Sequence, residues 1–321
     1  MNTYHIEPER RTLHGHFSRD LPPVLTIEPG DTVVYRTLEA GWGLEPRDPA
    51  RPDVSPRRFE PRNPETDSGH ALCGPIAIRG AEPGMTLAVE IKEIRPGTWG
   101  WNGAGGWPHP VNERFGLLDS GTLFRWELDA ETGTARNQHG HTVTLRPFMG
   151  VMGMPTDEPG ILSTAPPRAT GGNLDCKELI AGSTLYLPIA VPGGLFSVGD
   201  GHAVQGDGEV SVLAIECPME RVELTFQLLP DMPLHSPRAS TPAGWVTLGL
   251  HEDLNEATYL ALGTMLDLMQ EQDPALTRSD ALALASLVVD LRVTQIVNGV
   301  RGVHAVLPHG AIRHSPAAAL P

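Results

Sequence analysis

The sequence predicts a mainly β protein, a jelly-roll-like β-sandwich with additional hairpins and two C-terminal α-helices. Three observations predict it. Gly (35) and Pro (31) recur along the 321 residues, so turns are frequent. Between them lie short runs rich in Val, Ile, Leu and Thr, the composition of strands. Helical spacing behind a capping residue begins only past Gly249. The length suits one unit over 1–321, with a β-rich body at about 12–250 and a helical pair plus closing hairpin at about 251–308.

Residues 22–37 (PPVLTIEPGDTVVYRT) read as strand, Pro29-Gly30-Asp31 turn and strand, a hairpin. Residues 41–70 are polar and Pro-rich; a loop of that length is either mobile or folded over a site, and His70 stands at its far end. GPIAIRGAEPGMTLAVEI then repeats the strand, Glu-Pro-Gly, strand pattern as a second hairpin. In TWGWNGAGGWPHP, Trp99, Trp101 and Trp107 stand among glycines, where large aromatics either wall a small-molecule pocket or plug the end of a sandwich. Further strands are expected at 123–128, 142–145, 185–188, 195–198 and 222–229. Asp253 with Glu256, and Thr277 with Asp280, open helices expected at 253–270 and 279–291. Their apolar stripes are Leu260, Met265, Leu266, Leu268 and Met269, then Leu282, Ala285, Val288, Val289 and Leu291. Asn298-Gly299 centres a last hairpin at 293–308.

A net charge of −15 argues against nucleic acid or an anionic membrane surface as partner. No apolar run approaches a membrane span, and the start has no signal-like apolar region. Cys73, Cys176 and Cys217 form no pattern, which predicts free thiols in a reducing cytoplasm and no structural zinc pair. The apolar helix faces (Leu260, Leu262, Leu266; Leu284, Leu287, Leu291) predict a homo-oligomer, most simply a dimer.

The chemistry concentrates at residues 171–216. Asn173 and Asp175 follow a Gly-Gly turn, and Asp200, His202, Gln205, Asp207 and Glu209 are spaced by glycines. Glycine lets backbone approach closely and so aims side chains at one point. His202, Asp175 and Asp207 are the expected ligands of a divalent metal, Zn²⁺ ahead of Ca²⁺ or Mg²⁺. Glu209, ahead of a strand, is the expected proton carrier, with Asp175 next in line and Asn173 as oxyanion donor. Asp200 reads as a turn residue capping backbone N–H groups. Glu216, seven residues past Glu209 in VSVLAIE, falls on the opposite strand face by the period of two. His70 can join from its loop or simply be solvated. Cys176 beside Lys177 lacks a strand-to-helix elbow, and Ser163 and Ser183 lack a G-x-S-x-G context.

GVMGMPTDEPG, then PPR, GGNLD and LYLPIAVPGGLFSVGDGHAVQGDGEV, resemble the acetamidase/formamidase family. PPVLTIEPGDTV, GPIAIRGAEPGMTLAVEI and DLRVTQIVNGVRGVHAVLP follow in the family's order, leaving 40–69 and the last residues outside. The resemblance implies an amidohydrolase acting on C–N bonds of small linear amides, a β-sandwich core and a metal at the site. Two departures, Cys73 where Thr is common and Glu39 where Asp is common, leave the substrate open. It is a formamide- or acetamide-like amide, or another small C–N compound such as a ureido acid. The reading from a different class is a metabolite-binding sandwich with a structural metal.

Overall fold

The computed structural model describes residues 1–51 and 54–313. Its strands form three sheets. The nine-stranded sheet runs Thr3–Ile6, Thr32–Thr37, Met219–Leu229, Thr86–Pro96, Thr184–Pro188, Arg238–Thr241, Gly244–His251, Arg301–Pro308, Asp290–Gln295. The six-stranded sheet runs Gly171–Asn173, Phe148–Gly153, Phe196–His202, Leu72–Ile78, Leu13–His14, with Leu25–Ile27 also paired to Leu72–Ile78. The four-stranded sheet runs Thr142–Thr144, Thr134–Asn137, Gly121–Asp129, Trp99–Gly105. The core lies between the first two. Leu87, Val89 and Leu224 of one and Ile76, Val198 and Met152 of the other are fully buried in one cluster, and Phe226 meets Phe196 edge to face at 5.1 Å.

The two Glu-Pro-Gly units are not hairpins. Leu25–Ile27 and Leu72–Ile78 lie in the six-stranded sheet, while Thr32–Thr37 and Thr86–Pro96 lie in the nine-stranded one. Each turn, with Gly30 or Gly84 at φ 93° or 91°, therefore carries the chain across the sandwich. Equivalent strands stay together: Leu25–Ile27 pairs in parallel with Leu72–Ile78, and the other two flank Met219–Leu229. The Gly193-Gly194 turn is a third crossing, from Thr184–Pro188 to Phe196–His202. Strand–turn–strand text is the same for both connections; the tertiary partner differs. Near-continuous burial of Leu72–Ile78 fits a strand covered on both faces better than half of an exposed ribbon. The hairpin around Asn298-Gly299 does form, from Asp290–Gln295 to Arg301–Pro308.

One short helix, α1 (Pro110–Arg114), interrupts the strands. The Asp253 carboxylate caps α2 (Leu254–Gln272), accepting from the N–H groups of Asn255 and Glu256 at 2.8 and 3.1 Å. A reciprocal Thr277–Asp280 box opens α3 (Arg278–Val288). That helix stops short of 291 because Asp290 and Leu291 pair with Val306 and Ala305 as an edge strand. Small residues and methionines, rather than most of the leucines, face the sheet: Ala257, Ala261, Met265, Ala281 and Ala285 are buried against Val303, Ala305 and Leu307. Leu260, Leu282, Leu287 and Leu291 are exposed. Of the expected α2 stripe Met265, Leu266, Leu268 and Met269 are buried and Leu260 is not; of the α3 stripe Ala285 is buried while Leu282 and Leu291 are exposed, since close packing on the sheet selects alanine at the contact.

Candidate functional site

Neighbouring strands bring the polar side chains to one point. Residue Glu216 exchanges both backbone hydrogen bonds with Trp101, at 3.0 and 2.9 Å, and on its other side lies opposite His202. Phe148 lies opposite His202 in turn, its ring edge-to-face with the imidazole at 5.1 Å. Residues directly opposite share a sheet face, so Trp101, Glu216, His202 and Phe148 form a row. Strand alternation puts Asp200 on the face of His202. The Asp175 N–H reaches Gly150 O at 3.3 Å, just past the strand Gly171–Asn173. Glu209 arrives on a turn whose N–H bonds back to Gly206 O at 3.2 Å.

Nε2 of His202 is 3.2 Å from Asp200 Oδ1 and 3.5 Å from Glu216 Oε1. Asp175, Asp200 and His202 form one buried trio, and His202, Glu209 and Glu216 another, the candidate ligand atoms of each lying within 4.8 Å of one another. Some atoms are fixed by the scaffold. Asn298 Nδ2 donates to Asp175 Oδ2 at 2.6 Å, Gln205 Nε2 to Asp175 O at 2.8 Å, and Ala214 N–H to Glu216 Oε1 at 3.0 Å. Others are buried with no hydrogen-bond partner among the described residues: Asp175 Oδ1, His202 Nδ1, Glu209 Oε2, Glu216 Oε2 and Asn173 Oδ1. The backbone is unusual too. Asp175, Asp200 and Glu209 sit at φ 48°, 60° and 46°, a left-handed region costing about 1–3 kcal/mol for a non-glycine residue and found most often at functional sites.

Burial pushes the Asp175 carboxyl up to about 8 and that of Glu216 up to about 7. Glu209 is raised well above the carboxylate range by burial and then by the charge of Asp175. Burial would raise Asp200 as well, but the adjacent His202 imidazolium outweighs it and holds Asp200 low. Burial also works against the charge on His202, which Asp200 and Glu216 nonetheless keep protonated. Carboxyls thus outnumber cations in a region poor in water, and several oxygens point at one another. Gly150 completes the cradle: a Cβ there would lie 2.8 Å from Asp175 Oδ1 and 2.9 Å from His202 Cε1 and would overlap Asp200 Oδ2. Such a donor set can bind a divalent cation.

The cluster floors a cavity of about 490 Å³ whose wall includes Glu39, Arg47, His70, Trp101, Asn173 and Asn298. Gly41, Arg47, Ser68 and Gly69, from the segment after Ala40, also line it. Trp42 anchors that segment, donating through Nε1 to Gly69 O at 2.8 Å, with the Arg10 and Arg62 guanidinium groups each 5.8 Å from its ring. Of the three tryptophans, Trp101 lines the cavity; Trp99 faces a separate groove, and the Trp107 carbonyl accepts from Asn112.

Among the expected residues, Asp175, His202 and Glu209 meet, with Asn173 beside them. Asp207 does not join them. Its carboxylate pairs with Lys177 Nζ at 2.7 Å and lies 4.0 Å from His304 Nε2. Asp200 and Glu216 take the expected place of Asp207 instead. Asp200 does occupy a left-handed turn-like backbone, yet its side chain points inward. Glu216 escapes the period-of-two reading because residues 209–216 are not a strand: the chain turns at Glu209 and again at Val212, φ 74°. The Asn173 Nδ2 donates to Ala165 O at 3.0 Å, so the atom it offers is Oδ1, an acceptor rather than an oxyanion donor. His70 is held on the wall by Thr164 Oγ1 at 2.8 Å from Nδ1. Asn298, visible in the sequence only as a turn former, is the carboxylate-fixing residue that sequence reasoning missed.

A family model described as Acetamidase/Formamidase matches residues 2–159 and 158–309. A Schizosaccharomyces pombe protein provisionally named a formamidase, C869.04, is 30% identical over 255 residues, 63% of this chain and 60% of its own length. The formamidase of Methylophilus methylotrophus is 26% identical over 251 residues, 62% of this chain and 60% of its own. The match thus spans about three-fifths of the length of these relatives. The crystal structure of an acetamidase from Bacillus halodurans superposes with a TM-score of 0.80 at 26% identity, covering 95% of this chain and 97% of that one.

Proposed function

The chain belongs to the acetamidase/formamidase family, and on that premise we propose that it hydrolyses a short linear amide to a carboxylate and ammonia with the help of a divalent metal ion. The observation that supports this most is the buried meeting of His202 with Asp175, Asp200, Glu209 and Glu216 under a cavity, with partnerless oxygens among them. The donors that would hold the ion are His202, Asp175 and Asp200, with Glu216 beside them. Zn²⁺ is favoured because the set includes an imidazole, whereas Ca²⁺ and Mg²⁺ sites are built from oxygen. Bound there, such an ion polarises a carbonyl and makes hydroxide accessible at neutral pH.

The side chains supply the rest. Glu209 lines the cavity and its Oε2 is free of a hydrogen bond; its carboxyl takes a proton from the attacking water and passes it to the leaving nitrogen. A raised carboxyl pKa suits both halves of that transfer. Asn173 Oδ1 accepts an N–H of the substrate amide and so orients it. Trp101, Arg47 and His70 wall the cavity around the substrate. We further propose a homodimer joined through the exposed leucines of α2 and α3.

The test is ammonia release from formamide, acetamide and propionamide by zinc-loaded protein, before and after chelation. Turnover that disappears with the metal supports the proposal. Zinc-loaded protein that releases no ammonia from any short amide would overturn it, and the metabolite-binding reading would take its place.

A further inference from the structure

We propose that the amide handled by this chain carries a carboxylate at its far end, and that Arg47 docks it. This deepens the amidase reading and rests on it. Arg47 lines the same cavity as Asp200, His202, Glu209 and Glu216. Its guanidinium lies 4.2 Å from the centre of the Trp101 ring, a cation–π stack that fixes its plane. The ring is itself held: Trp101 Nε1 donates to Glu39 Oε1 at 3.1 Å, and Glu39 Oε2 accepts the Gly43 N–H at 2.9 Å. Arg47 feels the charge of Glu39, but both Glu39 oxygens already serve other donors.

Arg47 is half-buried and forms no ion pair or hydrogen bond among the described residues. A guanidinium carries five N–H donors in a rigid fork matched to a carboxylate. Stacking on Trp101 satisfies its face and leaves that fork for the cavity. The cavity has room for the pair. At about 490 Å³ it falls in the range that holds drug-sized ligands, far beyond what formamide or acetamide fills. The Arg47 fork thus holds the substrate by its carboxylate and leaves the amide to reach the His202 side of the same cavity; the bond broken is still C–N, with water added and ammonia released.

Zinc-loaded full-length protein should be assayed for ammonia release on oxamate, malonamate, succinamate and glutaramate, each beside its methyl ester. At least one acid should exceed its ester about tenfold in kcat/KM. Arg47→Gln should reduce that preference roughly 10- to 100-fold, chiefly through KM, and Arg47→Lys should restore part of it. Protein that hydrolyses the esters but prefers no acid would overturn the proposal, as would an Arg47→Gln variant in which acid and ester fall equally. If nothing is hydrolysed, the amidase reading itself has failed, and calorimetry with succinate and glutarate decides the docking. Binding weakened by Arg47→Gln sustains the anion site; no binding, or binding the variant leaves unchanged, removes it.

Discussion

Gly150 stands in the strand Phe148–Gly153 between the Met149–Gly201 and Val151–Gly199 pairs, directly over the acidic cluster. Its backbone is not in the left-handed region, so replacing it by Ala brings no conformational strain, only a methyl group. That methyl would overlap Asp200 Oδ2 and lie 2.8 Å from Asp175 Oδ1 and 2.9 Å from His202 Cε1. None of the three can move away cheaply. Asp175 is pinned by Asn298 at 2.6 Å, and His202 is packed edge-on against Phe148. Overpacking of this kind costs about 1–3 kcal/mol. Relief requires shifting groups assigned to the metal, so zinc affinity should fall at least tenfold as stability falls. Denaturant titration and zinc stoichiometry measure the two effects. Gly206→Ala is the control: it lies three residues from Glu209, and its added Cβ meets nothing within 4 Å, so it should change stability by no more than about 0.5 kcal/mol. A Gly150→Ala protein with wild-type midpoint and zinc content would refute the described closeness of these three groups.

Four further outcomes are expected. His202→Ala and Asp200→Ala should both lose most bound zinc, whereas Asp207→Ala should keep it; metal analysis of the purified variants decides. Glu209→Gln should lower turnover by roughly 10²–10⁴-fold while zinc is retained; if zinc is lost too, Glu209 is a ligand and Asp175 is the next candidate for the proton. His14 and His304 are buried uncharged, burial lowering each from 6.5 to about 4. Below pH 6.5 the unfolded chain takes up protons that the folded one refuses until pH 4, so each histidine should cost about 3 kcal/mol across that window; because the raised carboxyls of the cluster act in the opposite sense there, the comparison is with His14→Gln and His304→Gln protein, whose midpoints should fall less from pH 7 to 4 than the wild-type one, and equal slopes would contradict this. Light scattering at micromolar concentration should give twice the chain mass, and Leu287→Glu should return the monomer.

The fold was legible as far as local rules reach. Helix starts at Asp253 and Thr277 were readable because a cap is chemistry within four residues. The Glu-Pro-Gly units were misread because a turn specifies reversal, not which sheet receives the second strand. In the candidate site, Asp200 is separable from the turn reading by a signal present in the text: two residues before His202 on one strand, it shares that residue's face. Asp207 and Glu209 look equivalent in GDGE, each beside glycine, and only the tertiary position of Lys177 diverts one of them. Glu216 needed the knowledge that residues 209–216 turn twice, and Asn298 that its hairpin tip reaches Asp175. Both are long-range facts with no local trace.

The cost side of the cluster bears on what it is for. Left-handed φ at Asp175, Asp200 and Glu209 costs about 1–3 kcal/mol each, and a buried polar atom without a partner costs about 1–3 kcal/mol more. Together these rival the whole net stability of an ordinary domain, about 5–15 kcal/mol. Structural carboxylates elsewhere in this chain are treated differently: Glu178 is buried but met by Arg146 and Arg292, and Asp67 by Arg10. A fold that supplies arginines to those acids, yet offers one imidazole to Asp175, Asp200, Glu209 and Glu216 together, leaves positive charge to come from outside the chain. A divalent ion would offset repulsion among the carboxylates and occupy the orphaned oxygens at once. Proton transfer by Glu209 then requires that one carboxyl in the group keep a lone pair uncommitted, which is how Oε2 stands.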